Sequence, residues 1–417
     1  MRRLSIILAL SAVSFTACDA ETTESNPTSD VTSSVGDTQA PDSPQADVLE
    51  GDDDVSSPVD PVAQSDAVEQ SDTTATEPET DPDTESEETG GTDSGPVTIE
   101  EDVAEPPVDP PVDPPVETSD PGEPGAFSFE VMTHTESLDI DGASVDVLCV
   151  IYMPDGDGPF PVVTFTHGFQ LAPADYVSYG EQLASWGYIA VLPQLPGGLF
   201  DAPTHVQMKN YMSALLDWIE ADEVVLSSKA DVSRIALAGH SMGGKISLLL
   251  STEDPRPVAV FGVDPVDAAG GPFTMDATEY PSVTPELMGS ITVPLGLLGE
   301  TTNGAGDGSM FGQACAPSED NFQAYFEYAE SSAIEIDVLG ASHMSFLDNP
   351  SCGLACLACP EGTDDPAVSR MLAQRYMIAF FNVFVQGEAS YMDYLTGDAM
   401  ASDIAAELVT TQTKNNF

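Results

Sequence analysis

Residues 235–250 constrain the fold more tightly than any other stretch of this chain. The apolar run Ile235-Ala236-Leu237-Ala238 passes directly into Gly239-His240-Ser241-Met242-Gly243, and residues 245–250 then read as a buried helix. In a chain with 33 glycines the bare G-x-S-x-G pattern carries little information. Its setting carries much more. A strand that turns sharply into a helix at this motif lifts the serine hydroxyl out of the turn, and glycines on either side of the serine permit the strained backbone that this requires.

The rest of the C-terminal portion has the same alternation. Strands are predicted at 147–153, 162–165, 188–192, 235–238, 258–263, 293–298 and 334–338. Helical spacing falls between them at 176–186, 206–219, 245–250 and around 322–329, and a long apolar helix at 366–385 closes the series. Strands alternating with helices predict a mostly parallel central sheet covered by helices on both faces. The roughly 290 residues from 126 to 417 suffice for one large core.

A serine hydroxyl is a weak nucleophile until a base takes its proton. When the serine sits on such a turn, the base and its orienting acid follow in the order Ser, Asp or Glu, His. Of the five histidines (His134, His167, His205, His240 and His343) only His343 lies beyond Ser241. It follows the predicted strand 334–338 within a Gly-Ala-Ser loop, where the last strand delivers a base. Two residues suit the acid: Asp264 after strand 258–263 and Glu300 after strand 293–298. Both sit at carboxyl ends of neighbouring strands, and spacing alone leaves the choice open. The oxyanion of an acyl-transfer intermediate needs two N–H donors. The candidates are the backbone N–H of Met242, just after the serine, and that of Phe169, in the loop Thr166-His167-Gly168-Phe169.

Taken together these blocks resemble the chlorophyllase branch of the α/β-hydrolases, with kinship to dienelactone hydrolases and a more distant similarity to bacterial cutinases and polyester hydrolases. The resemblance rests on Phe165-Thr166-His167-Gly168-Phe169, on Gly187-Tyr188-Ile189-Ala190-Val191-Leu192-Pro193-Gln194, on Gly239-His240-Ser241-Met242-Gly243-Gly244 and on Gly262-Val263-Asp264-Pro265-Val266. Cys315-Ala316-Pro317 and Ser342-His343-Met344 follow in the same order. It implies an α/β-hydrolase fold, a Ser241–Asp264–His343 triad and hydrolysis of carboxylic esters without a cofactor. It favours Asp264 over Glu300. Met242 departs from chlorophyllases, which typically carry a polar or charged residue there, and matches polyester hydrolases. A general carboxylic ester is therefore the expected substrate; the alternatives are a cutinase-type hydrolase of polyester or lipid, and a non-catalytic lipoprotein that uses the fold for surface binding.

The chain ahead of this domain is a different material. Residues 19–125 hold 32 of the 71 acidic residues, no Lys or Arg, and no Phe, Tyr or Trp. Such a segment cannot bury enough apolar surface to offset its ordering entropy, so 18–125 is expected to be a disordered acidic linker. Its PPVD repeats at 106–115 favour polyproline II, and as a coil it would span on the order of 60 Å. Residues 1–17 read as an export signal: Arg2 and Arg3, then an apolar stretch too short to cross a bilayer. Its end, Phe15-Thr16-Ala17-Cys18, resembles a lipobox, which implies cleavage before Cys18 and lipidation of that cysteine. A bacterial envelope location follows, periplasmic or cell-surface, with membrane contact only through the lipid. The formal charge of −61 sets nucleic acid aside as a partner, and a monomer is expected.

Five cysteines remain. Cys149 lies inside an apolar strand and reads as a buried thiol. Cys315, Cys352, Cys356 and Cys359 can form two disulfides in any of three pairings, stapling the loop after His343 to the loop after Glu300. Cys-x3-Cys-x2-Cys is also a spacing that binds zinc, but an exported domain favours disulfides, so no metal is expected.

Overall fold

A computed structural model describes residues 118–140, 142–197, 202–222, 224–268, 276–305, 314–350 and 359–417. The signal, Cys18 and nearly all of the acidic linker lie outside the described residues. Residues 118–125, ahead of the globular boundary expected at 126, are packed against the domain. Asp120 is ion-paired with Arg375, and Gln182 Nε2 donates to the carbonyls of Pro121 (2.7 Å) and Glu123 (2.8 Å). The partners lie far along the chain, so the acidic composition of this short segment gave no sign of its docking.

Nine strands form one sheet: β1 Phe129–Ile140, β2 Ala143–Pro154, β3 Phe160–Thr166, β4 Ile189–Gln194, β5 Ala230–His240, β6 Pro257–Val263, β7 Leu295–Glu300, β8 Ala333–Val338 and β9 Val409–Lys414. Their spatial order is β1-β2-β4-β3-β5-β6-β7-β8-β9. The six from β4 to β8 run parallel, and β1, β2 and β9 add antiparallel edges. This is the α/β-hydrolase arrangement. Helices α1 Val177–Ser185, α2 His205–Ala221, α3 Met242–Ser251, α4 Phe322–Tyr328 and α5 Pro366–Phe381 cover it, with two short ones, α6 Asp393–Thr396 and α7 Asp398–Ala405, near the end.

Successive residues of the central strands feed two separate cores, because side chains alternate between the faces of a sheet. Ala236 and Ala238 of β5 pack with Leu183 of α1 and Phe380 of α5. Ile235 and Leu237 pack with Leu216 of α2, Ile246 of α3 and Tyr325 of α4. Strands buried on both faces are mostly apolar, which is why β3, β6, β7 and the second half of β5 stand out in the sequence, while β8 is buried along its length yet carries Glu335 and Asp337. The order of connections reverses beside β3, and at such a point an open parallel sheet leaves a crevice beyond the strand carboxyl ends.

Candidate active site

Ser241 occupies the single residue between β5 and α3, with φ 56° and ψ −123°. A non-glycine residue rarely holds such a backbone, and its neighbours explain how it is held. The Ser241 N–H donates to Val263 O (3.1 Å), the Val266 N–H donates to Ser241 O (3.3 Å), and both glycines of the turn are crowded. A Cβ at Gly243 would lie 2.0 Å from Thr166 O, and one at Gly239 2.5 Å from Gly243 C. Only glycine lets β5, α3 and the end of β3 approach this closely.

His343, in the loop after β8, reaches Ser241 Oγ through Nε2 at 2.9 Å. Its Nδ1 is 2.5 Å from Asp264 Oδ2. Asp264 follows β6 directly, also at positive φ (45°), and is wholly buried. Its own N–H donates to Leu298 O of β7 at 2.6 Å. Burial pushes His343 down to about 4, so at neutral pH the ring is uncharged and Nε2 can accept a proton from Ser241. The Nδ1–H then donates to Asp264.

Glu300, the other acid that strand position suggests, directs its carboxylate elsewhere. Oε2 accepts the N–H groups of Thr302 and Asn303 (2.6 Å to the latter). Asn303, which the sequence reading missed, holds the base loop: its Oδ1 accepts the His343 N–H at 2.8 Å and its Nδ2 donates to Pro360 O at 3.1 Å. The only hint in the sequence was its place three residues after Glu300, the spacing of a carboxylate-closed turn. The same two loops are joined by a disulfide between Cys315 and Cys359, with Cα atoms 5.1 Å apart. Cys352 and Cys356 lie outside the described residues. Cys149 is a buried free thiol, pushed up to about 12 by burial.

The loop after β3 brings Phe169 beside the turn that carries Ser241. Among the described residues the N–H groups of Phe169 and Met242 donate to no protein acceptor, as an oxyanion site requires. Both residues line a cleft of about 210 Å³ with Leu171, Leu195, Met208 and Gln170. His167 fixes this loop to the end of β4, since its Nε2 accepts the Leu195 N–H at 3.1 Å. A second tie was not foreseen. The Tyr176 hydroxyl accepts the Gly168 N–H (3.2 Å) and donates to His240 Nδ1 (2.8 Å), and His240 Nε2–H donates to His343 O (2.9 Å). The oxyanion loop, the serine turn and the base loop are thus joined through one buried Tyr–His pair. Burial holds His240 well below the ordinary histidine range, so it stays neutral in that role. Among the described residues no group of three His, Cys, Asp or Glu is placed to hold a metal.

A serine turn after β5, a histidine after β8 and an acid at a strand end between them, on this sheet, define an α/β-hydrolase. The chain belongs to the chlorophyllase family, whose model, described as "Chlorophyllase", matches residues 123–413. It is 27% identical to chlorophyllase-1, chloroplastic, of Citrus sinensis over 269 residues, 62% of this chain and 79% of that protein. It is 25% identical to chlorophyllase-1 of Arabidopsis thaliana over 67% of this chain and 90% of that one. A shorter match, 28% over 115 residues, joins it to cutinase 1 of Thermobifida cellulosilytica, covering 28% of this chain and 43% of the cutinase. At the level of the family the chain is a serine ester hydrolase.

Proposed function

We propose that this protein hydrolyses carboxylic esters through an acyl-enzyme on Ser241. The hydrogen-bonded line from Ser241 Oγ through the His343 ring to Asp264 carries this reading. Ser241 Oγ attacks the ester carbonyl while His343 Nε2 takes its proton. The carbonyl oxygen becomes an oxyanion between the N–H groups of Phe169 and Met242. His343 returns the proton to the leaving alkoxide, and the alcohol departs. Water, deprotonated by the same nitrogen, then releases the acid and restores the serine. Asp264 holds the imidazole tautomer and balances the imidazolium charge. The chemistry needs no cofactor.

The test is hydrolysis of short p-nitrophenyl esters by purified protein. Ser241→Ala is expected to lose about 10⁵-fold or more in kcat and all labelling by a fluorophosphonate probe. Asp264→Ala is expected to lose about 10⁴-fold, the effect of a wrong tautomer. A Ser241→Ala protein as fast as wild type would sink the proposal.

The cleft beside the two N–H donors mixes apolar Phe169, Leu171, Leu195, Met208 and Met242 with polar His167, Gln170 and Gln194, a lining without acidic or basic side chains other than the imidazole that suits an uncharged ester. The cutinase similarity supports a second reading, that the natural ester is polymeric or lipid. A lipid anchor on Cys18 and an acidic tether would let the domain reach such material from the cell envelope. Soluble product from polyester film or emulsified triglyceride supports this, and activity confined to dissolved esters removes it. Cys18→Ser protein appearing in the soluble fraction, with wild type in membranes, supports the anchor.

A further inference from the structure

Glu300 ends β7, beside the strand that delivers Asp264, and the reaction proposed above makes no use of it. Its surroundings give it a task. Through Oε2 it gathers the N–H groups of Thr302 and Asn303 and so closes the turn 300–303. Asn303 then holds the base loop in two places: its Oδ1 takes the His343 N–H, and its Nδ2 donates to the Pro360 carbonyl at 3.1 Å. Glu300 and Asn303 are each 2% exposed. The contacts run from Glu300 through Asn303 to the backbone of the residue whose ring stands between Asp264 and Ser241.

The other carboxyl oxygen supplies an independent observation. Glu300 Oε1 and Asp264 Oδ1 are both buried, and neither has a hydrogen-bond partner. Asp264 Oδ1 lies against the Gly299 backbone, where a Cβ would be 2.6 Å away, so the two orphan oxygens belong to acids at adjoining strand ends. Two neighbouring ionised carboxylates need a compensating cation when buried. Among the described residues no Lys or Arg is ion-paired with either, and the one ring facing them, His343, donates to Asp264. One acid must then hold a proton. Burial pushes both acids up, Asp264 well above its ordinary value and Glu300, with the charge on Asp264 added, to about 8. The contact with the ring decides between them: Asp264 Oδ2 accepts the His343 Nδ1–H at 2.5 Å and Glu300 has no such partner, which leaves the charge on Asp264 and the proton on Glu300.

We infer that Glu300 is a positioning residue for His343, acting as an uncharged carboxylic acid through the 300–303 turn and the Asn303 side chain. The inference rests on the Ser241–His343–Asp264 reading. Keeping Glu300 neutral leaves Asp264 as the single charge against the imidazolium, and keeping its turn closed holds that ring in line with Ser241 Oγ.

Three variants of the full chain test it, with ester kinetics and the low-field proton NMR signal of the His343 Nδ1–H as readouts. The second readout needs no turnover. Glu300→Gln preserves shape, accepts both N–H groups on its amide oxygen, and presents N–H where the acid presents O–H. It is expected to stay within about 3-fold of wild-type kcat at pH 7 and to keep the NMR signal. Glu300→Ala opens the turn. Its kcat is expected to fall about 10- to 100-fold with KM nearly unchanged, because a small misplacement of the base slows chemistry more than binding. Its NMR signal should shift or broaden. Asn303→Ala should reproduce both effects with the carboxyl intact, and it decides the matter if Glu300→Ala does not fold. Wild-type kinetics and signal in the alanine variants overturn the positioning role. A Gln variant as impaired as Ala overturns the uncharged form. If wild type neither turns over esters nor labels at Ser241, the esterase reading fails, while the NMR comparison still judges Glu300.

Discussion

Lys245 lies four residues after Ser241 on α3 and is wholly buried, with Nζ 3.0 Å from Asp267 Oδ1. It also donates to the carbonyls of Asp267 and Ala268, each at 3.2 Å. Asp267 in turn accepts from Ser282 Oγ and from the N–H groups of Val283 and Thr284. One buried ion pair therefore ties the helix behind the nucleophile to the loop that carries Asp264. Lys245→Met leaves Asp267 charged and unpaired, so it is expected to lose about 3–5 kcal/mol of stability by urea unfolding. A loss under about 1 kcal/mol would show that the pair is dispensable. Tyr176→Phe is a milder change at the same scale. It leaves the Gly168 N–H and His240 Nδ1 unpaired, at about 1–3 kcal/mol, and so should slow turnover by loosening oxyanion and base loops together. The pH profile belongs here too. His343 must be neutral to act as base, and burial places it at about 4, so kcat/KM should fall only as pH drops through that value. An acid limb centred near 6.5 instead would mean that the ring is far better solvated in the working enzyme.

At the scale of elements, the parts readable in the sequence are those buried on both faces. Strands β3, β6 and β7 and the second half of β5 are largely apolar runs, β8 is apolar at alternate positions, and three of these strands end on Ser241, Asp264 or the His343 loop. Strand β1 escaped notice because it lies at the edge: Phe129–Ile140 alternates exposed polar with half-buried residues. Strand β9, Val-Thr-Thr-Gln-Thr-Lys, has one buried residue and earns its place by pairing with β8. The long helix was read to residue 385. Its α-helical part ends at Phe381 and a π turn takes Asn382–Gln386, a change that composition does not record. Loop-to-loop ties were illegible for another reason: Tyr176, Asn303 and Asp120 owe their roles to partners far along the chain. The Cys315–Cys359 disulfide is the covalent version of such a tie. It closes a loop of 44 residues around β8 and His343, worth about 4 kcal/mol by chain entropy. Cys315→Ser is expected to lower the melting temperature and, because the bridge flanks Asn303, to reduce kcat more than it raises KM. Unchanged kcat alongside a lowered melting temperature would confine the bridge to stability.

For the whole molecule, charge decides how stability varies with pH. Of the formal −61, residues 126–417 carry −31, since 39 acids there face eight Lys or Arg. Two groups of carboxylates pull in opposite directions. Burial would raise Asp120 and Asp254, but Arg375 and Arg256 hold them below the usual 3.8. Such groups stabilise the fold above 3.8, and that contribution is lost as pH falls through their depressed values. Glu300 and Glu335 behave the other way. Burial first, then Asp264 and Asp337 respectively, push them from 4.5 up to about 8 and about 7. The folded state holds those protons more tightly than the unfolded one, so their contribution is full below 4.5 and disappears as pH rises to about 8. Mutual repulsion among the remaining acids works in the same direction as they ionise. The buried histidines oppose the two acids: burial holds His205, His240 and His343 below the usual 6.5, so their contribution is full above 6.5 and is lost as pH falls through their depressed values. The fold is therefore expected to be most stable at about pH 6.5 and to lose melting temperature towards pH 8.5. Glu300→Gln with Glu335→Gln should flatten that slope, because neither amide titrates. Calorimetric scans from pH 4.5 to 8.5 on wild type and the double variant measure both. A wild-type profile flat over this range, or one equally steep in the double variant, would mean that the two buried acids ionise without strain and that surface repulsion alone sets the dependence.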